Sequence, residues 1–193
     1  MLLSAGQEVL FMPFVDFSDM TWQPEPCEKR GDSIPSGLRE MLLDHTSLTQ
    51  RLKQVHKSTF FVRVIRHEWL EPTASESAFL SCGEGSASVR EVLLFGSGRP
   101  VVFARSVLPA SSLEGDNRGL LTLGDRPLGE YIFSQPGLHR GPIEIAKIPA
   151  RQFNLHLDFD YGDEGAWGRR SLFYLNDLPI SVCEVFLPQS GRG

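Results

Sequence analysis

The apolar positions of this chain change period several times, and each change marks an element. Between Ser36 and Lys57, the residues Leu38, Met41, Leu42, Leu48, Leu52 and Val55 recur at helical spacing, with a break at Asp44-His45-Thr46-Ser47. Ser47 followed three residues later by Gln50 has the form of a capping box, so a second helix is predicted to start at Leu48. The period then falls to two. The run STFFVRVIRHEW, residues 58–69, places Phe60, Val62 and Val64 on one face of a strand and Phe61, Arg63 and Ile65 on the other. VREVLLFGSGRPVVFARSVLP, residues 89–109, holds two apolar runs joined at Gly96-Ser97-Gly98 and predicts an antiparallel hairpin. Further strands are predicted over 143–148, 155–159, 169–175 and 179–188, the last two flanking an Asn176-Asp177 turn. A short helix is expected from Asp125 to about Ser134, with Pro127 near its first turn, where a missing N–H costs little. Strands paired by hairpins, with few helices, define an α+β fold: a single mainly antiparallel β-sheet with helices segregated around it.

Residues 1–35 show no such period. They are rich in Pro and acids, with Phe11, Phe14, Phe17 and Trp22 interspersed, and read as an irregular arm that packs by its aromatics. The expected organisation is this arm, one domain over 36–188 and a short tail over 189–193. A chain of 193 residues with 41% hydrophobic content suits one unit with a substantial core.

The formal charge of −5 argues against a nucleic-acid partner, which calls for a basic stripe to replace phosphate counterions. Its distribution sharpens the picture. Glu8, Asp16, Asp19, Glu25 and Glu28 precede the first Lys or Arg, and the rest of the chain holds 19 charges of each sign. The opening residues have no basic n-region and carry Glu8 inside their apolar stretch, unlike a signal peptide. No apolar run approaches the roughly 20 residues that span a bilayer. Cys27, Cys82 and Cys183, odd in number and widely spaced, suit a reducing compartment, so a cytoplasmic protein without membrane insertion is expected.

Most familiar chemistry finds no support. His45, His56, His67, His139 and His156 show no metal-ligand spacing, and the acidic stretch from Asp158 fails as a calcium loop because Gly162 and Arg169 occupy ligand positions. No P-loop, dinucleotide-binding glycine motif or nucleophile elbow is present. Two charges stand out instead. Strand alternation puts Arg90 on the face of Val92 and Leu94, and Glu184 on the face of Ile180, Val182 and Phe186. If these are core faces, each charge needs either the other or a ligand; a plain Arg–Glu bridge and a solvated face are the ordinary alternatives. Arg169 and Arg170 open a predicted strand and are given no chemical role.

The segments MLLDHTSLTQRL, REVLLFGSGRPVVFARSVLPASSL, LGDRPLGEYIFSQPGLHRGPIEIAKI and WGRRSLFYLNDLPISVCEVFLP resemble, in order and spacing, the bacterial chorismate pyruvate-lyase family. The likeness runs from about Ser36 to Pro188; the stretch from 149 to 166 is longer and more acidic than the family's connection, and the arm diverges. The resemblance implies a chorismate lyase-like fold and the elimination of pyruvate from chorismate to give 4-hydroxybenzoate for ubiquinone synthesis, without metal or cofactor. It implies that Arg90 and the backbone N–H of Leu48 hold the ring carboxylate, and that Glu184 and the backbone N–H of Leu128 contact the ring hydroxyl. Both leucines fall in predicted first helical turns, where free N–H groups favour ligand oxygen. Desolvation of Glu184 favours a protonated carboxyl able to donate to the hydroxyl; as a carboxylate it could instead take the C4 proton. A monomer is expected. Two rivals stand beside this reading: a non-catalytic effector-sensing domain, since effector domains of some bacterial regulators resemble this fold, and an enzyme forming another hydroxybenzoate. The first normally follows a DNA-binding helix-turn-helix, for which the acidic arm offers neither room nor charge.

Overall fold

A computed structural model of the chain describes residues 16–25, 34–154, 162–163 and 165–188. Its strands are β1 (Gln23–Pro24), β2 (Phe61–Leu70), β3 (Ala87–Gly96), β4 (Arg99–Pro109), β5 (His139–Ile148), β6 (Ala166–Leu175) and β7 (Leu178–Phe186). They form one seven-stranded sheet in the order β1-β5-β6-β7-β4-β3-β2. Every pairing is antiparallel. The helices are α1 (Ser36–Leu42), α2 (Leu48–His56), α3 (Ala74–Leu80), α4 (Leu128–Ile132) and α5 (Arg151–Asn154).

Both predicted hairpins close as the sequence indicates. Ser97 and Gly98 take φ of 53° and 82°, and Asn176 and Asp177 take 53° and 62°. Left-handed residues at both turn positions match the twist of the flanking strands, and Gly and Asn tolerate that conformation best. The β3–β4 hairpin lies well inside the sheet and is buried on both faces along almost its whole length.

Alternation sends the two faces into different cores. Val92, Leu94 and Ala104 pack under Leu42 of α1 and Leu48 and Leu52 of α2, and this layer continues into Val182, Ile180 and Phe173 under Leu128 and Ile132 of α4. On the other face, Leu93, Phe103 and Val185 meet Phe17 and Phe153, while Val89 and Val107 meet Leu80 of α3. Helices α1, α2 and α4 therefore cover one face, and α3, α5 and part of the arm cover the other.

The N-terminal arm packs by its aromatics where it is described. Phe17 is buried, edge-on to Trp22 at 6.5 Å and to Phe103 at 6.2 Å. Beyond that expectation, Gln23 and Pro24 pair with Ile145 and Glu144 and cap the β5 edge. Phe11, Phe14, Cys27 and the strand expected over 155–159 lie outside the described residues. Helix α3 was not anticipated, although Thr73 and Glu76 form a reciprocal capping box at its start. Strand β2 begins one residue later than Phe60, and a bulge between Val64 and Arg66 reverses its facing beyond that point.

The face away from α1 and α2 carries a closed ionic cluster. Arg105 of β4, 2% exposed, donates through Nη1 to Glu91 at 2.7 Å and through Nε and Nη2 to the two oxygens of Glu76 at 2.7 and 3.1 Å. Glu91 is itself directly opposite Arg105 in the β3–β4 ladder. Arg105→Ala leaves this buried carboxylate with Arg66 at 3.8 Å as its remaining ion-pair partner, so the substitution is expected to lower the unfolding free energy by about 3–5 kcal/mol. Urea denaturation reads the difference; a loss below about 1 kcal/mol would mean that the cluster relaxes into solvent.

Candidate active site

Cross-strand register lays two rows of side chains beneath α1, α2 and α4. One row runs Val92, Ala104, Glu184, Arg169, Ile145; the next runs Arg90, Ser106, Val182, Ser171, Ile143. Ala104 and Ser106 are small, and they leave a depression in the sheet between Arg90 on one side and Glu184 on the other. Helices α2 and α4 roof it, joined by an ion pair of Lys53 with Glu130 at 2.6 Å. Their approach is close at Gly129, where a Cβ would meet Thr49 Oγ1 at 3.0 Å.

The four residues proposed from sequence, Leu48, Arg90, Leu128 and Glu184, all line this one pocket. Leu48 is the first residue of α2, as expected; Leu128 is the first residue of α4, which starts at Leu128 rather than Asp125 and ends at Ile132. Ser47 caps α2 by accepting the Gln50 amide at 3.4 Å. Around them stand Thr49, Ala104, Ser106, Phe173, Arg140 and Arg169. The cavity between the walls measures about 40 Å³. A larger groove of about 560 Å³ runs past Leu38, Met41, Val55, Val101 and Trp167, but it contains none of the four residues and no buried charge.

Arg90 is 3% exposed and does not pair with Glu184. Its Nη2 donates to the carbonyls of Gly124 and Arg126 at 2.9 and 3.1 Å. Its Nε is buried with no hydrogen-bond partner among the described residues. Burial lowers the pKa of the guanidinium, against an opposing pull from Asp125. A buried N–H left unpaired costs about 1–3 kcal/mol, more on a charged group.

The partner of Glu184 is Arg169, 1% exposed, whose Nε donates to Oε2 at 2.6 Å. Glu184 is thus no lone carboxyl in an apolar setting, and its Oε1 has no partner among the described residues. Arg169 was given no role from the sequence, yet a signal existed. Counting seven residues outward from each side of the Asn176-Asp177 turn sets Arg169 opposite Glu184, as the ladder does. Arg169 Nη1 also donates to the carbonyls of Met41 and Asp44 at 2.8 and 2.7 Å, tying the α1–α2 connection to the sheet.

Arg140 was missed as well. It precedes Gly141-Pro142, and the β5–β6 register shifts between Arg140 and Ile143, so alternation could not be carried back to it. Burial, then the like charge of Arg169, lowers its pKa to about 10, which leaves it protonated at neutral pH. The site therefore gathers three guanidinium groups around one carboxylate, an arrangement that selects anions.

The fold and pocket define an α+β domain with a guanidinium-lined site between a sheet and the first turns of two helices. Comparison with known proteins narrows this further. The chain belongs to the chorismate lyase family, whose pattern matches residues 17–190, and it is an enzyme of the lyase class. A protein of Pseudomonas aeruginosa strain UCBPP-PA14 named "Probable chorismate pyruvate-lyase" is 41% identical over 157 residues, covering 81% of this chain and 86% of that protein. One of the same name from Pseudoalteromonas translucida is 38% identical over 169 residues, covering 86% and 91%. Among solved structures, a GntR-family transcriptional regulator from Bacillus cereus matches with a TM-score of 0.53 at 15% identity, covering 70% of this chain and 96% of that one. The effector domain of PhnF from Mycobacterium smegmatis matches at 0.51 and 16%, covering 77% and 92%. These two show a shared fold.

The connection that carries Leu48 is pinned by Asp44. Its Oδ1 accepts the amide and hydroxyl of Thr46 at 2.8 and 2.6 Å, and its Oδ2 accepts Arg51 at 2.7 Å. Burial alone pushes this carboxyl's pKa up, but the bonds from Thr46 and then Arg51 outweigh it and hold the value at about 2, below the ordinary 3.8. A depressed folded-state pKa means that the carboxylate stabilises the fold above the ordinary value and loses that contribution as pH falls toward 2. Asp44→Asn should therefore be less stable than the parent at neutral pH, with the gap closing between about pH 4 and pH 2. Urea titrations at both ends check this; a gap independent of pH would remove the assigned role of the charge.

Proposed function

We propose that the protein is a chorismate pyruvate-lyase that releases pyruvate and 4-hydroxybenzoate, the latter supplied to ubiquinone synthesis. The observation that carries this reading is the buried, unpartnered Nε of Arg90 in a pocket with Glu184. A carboxylate against Arg90 supplies the missing acceptor, with a geometry that Lys cannot reproduce. The backbone N–H at the start of α2, on Leu48, completes the carboxylate site. At the other end of the ring, the free Oε1 of Glu184 accepts the C4 hydroxyl while Arg169 holds Oε2. The Leu128 N–H supplies a donor to the same oxygen.

With the ring held at both ends, the reaction needs two bond cleavages. The C3–O bond to the enolpyruvyl group breaks and C4 loses its proton. The C–H electron pair completes the aromatic ring, and the departing enolpyruvate takes up a proton to become pyruvate. No electron acceptor enters this balance. What the protein contributes is orientation and stabilisation of negative charge on the leaving group.

Incubation of the purified protein with chorismate should release pyruvate and 4-hydroxybenzoate in equal amounts by chromatography. Binding without turnover, or a different hydroxybenzoate, would overturn the assignment. Arg90→Ala is expected to weaken 4-hydroxybenzoate binding by about 2–5 kcal/mol, measured by calorimetric titration; unchanged affinity would sink the carboxylate role. Glu184→Gln separates two functions of the same side chain. Loss of turnover with product binding retained assigns proton transfer to the carboxylate, whereas parallel loss of both assigns positioning.

A further inference from the structure

The contacts above account for one of chorismate's two carboxylates, at Arg90; the enolpyruvyl carboxylate has no assigned partner. We propose that Arg140 binds it, as a second carboxylate subsite at the Glu184 end of the pocket. This inference rests on the chorismate reading.

Arg140 lines the pocket beside Arg169 and Glu184, with its guanidinium over the Phe173 ring at 4.9 Å. Its hydrogen bonds go to neutral acceptors, Nε to Ser171 Oγ and Nη1 to the Asp44 carbonyl, each at 3.1 Å. Nearby carboxylates are already engaged: Glu184 with Arg169, Asp44 with Thr46 and Arg51, and Glu25 with His45. Arg140 is thus a largely buried cation without an ion pair among the described residues, in a cleft that already holds a like charge. Such a group is stabilised by an arriving anion.

Substrate geometry places the anion there. In chorismate the enolpyruvyl ether leaves C3, next to the C4 hydroxyl, while the ring carboxylate lies across the ring. A ring anchored by Arg90 at one end and Glu184 at the other carries its second carboxylate on the Glu184 side, where Arg140 stands. Negative charge moves onto the enolpyruvyl group as the C3–O bond breaks, so a cation at that carboxylate also favours departure.

The test compares two ligands on the full-length protein. One is 4-hydroxybenzoate, which lacks the second carboxylate. The other is its 3-(1-carboxyvinyl)oxy derivative, aromatic and thus unable to repeat the elimination. Arg140→Met should weaken the derivative by roughly 10- to 100-fold while leaving 4-hydroxybenzoate within about twofold, and Arg140→Lys should recover part of the loss. An unchanged preference for the derivative, or equal loss of both ligands in both variants, would overturn the proposal; the latter would make Arg140 a support for the α1–α2 connection. Pyruvate release by the parent protein is scored separately. Turnover without an Arg140-dependent preference defeats the subsite alone. Such a preference without turnover keeps the subsite and defeats the lyase reading.

Discussion

The pair of buried Arg169 with half-buried Glu184 is the interaction on which the pocket depends. It joins β6 to β7 across the sheet, and the same guanidinium reaches the carbonyls of Met41 and Asp44 at the end of α1. Desolvating two charges costs several kcal/mol each, and one ion pair offsets that only when the remaining donors are also satisfied. Here Nη1 is satisfied by backbone carbonyls at and just beyond a helix C-terminus. The consequence is positional. The Glu184 carboxylate is fixed at one oxygen, the start of α2 is fixed relative to the sheet, and two walls of the pocket are set by one side chain.

The sheet carries a second ionic cluster on its other face, and the contrast separates structure from chemistry. Arg105 is enclosed by Glu91 and Glu76, with Arg66 near the outer oxygen of Glu91, so charge is balanced and the acceptors are matched. On the pocket side, three guanidinium groups line a cleft with one carboxylate, Glu184, which pairs with Arg169 alone, and Arg90 keeps a buried N–H without a partner among the described residues. Both clusters incur a desolvation cost. Only the second leaves that cost unmet within the protein, which is the condition for an anion to bind with gain.

Much of this was legible in the sequence where a local rule fixed the geometry. The Asn176-Asp177 turn set the register of β6–β7, whereas a bulge between Leu94 and Phe95 shifts that of β3–β4 by one residue from its turn, and period-two alternation put Arg90 and Glu184 each on an apolar face. The break at Asp44–Ser47 located the start of α2. Alternation states which face a residue takes and leaves open what lies across it, so Arg90 and Glu184 could be seen as needing partners before those partners were known. Arg169 was recoverable by counting from the Asn176-Asp177 turn. Arg140 was not, because Gly141-Pro142 and the accompanying shift of register break the period between it and Ile143. Helix α3 went unread although its capping box, Thr73 with Glu76, was written in the sequence.

Net charge proved the wrong scale for judging which ligands this protein admits. A formal −5 repels anions only through a field that solvent ions screen within about 8 Å, and five of its acids lie before Lys29. Inside the pocket the relevant charges are guanidinium groups held by carbonyls and a hydroxyl, out of reach of most screening, where each opposite charge counts for more than at the surface. Long-range repulsion of this size bears on the rate of encounter, whereas the buried guanidinium groups govern affinity. A dianion with carboxylates on two sides of one ring meets that local field at both ends. A monoanion satisfies it at one, so under the proposed assignment a ligand with both carboxylates gains more from the pocket than a ligand with one.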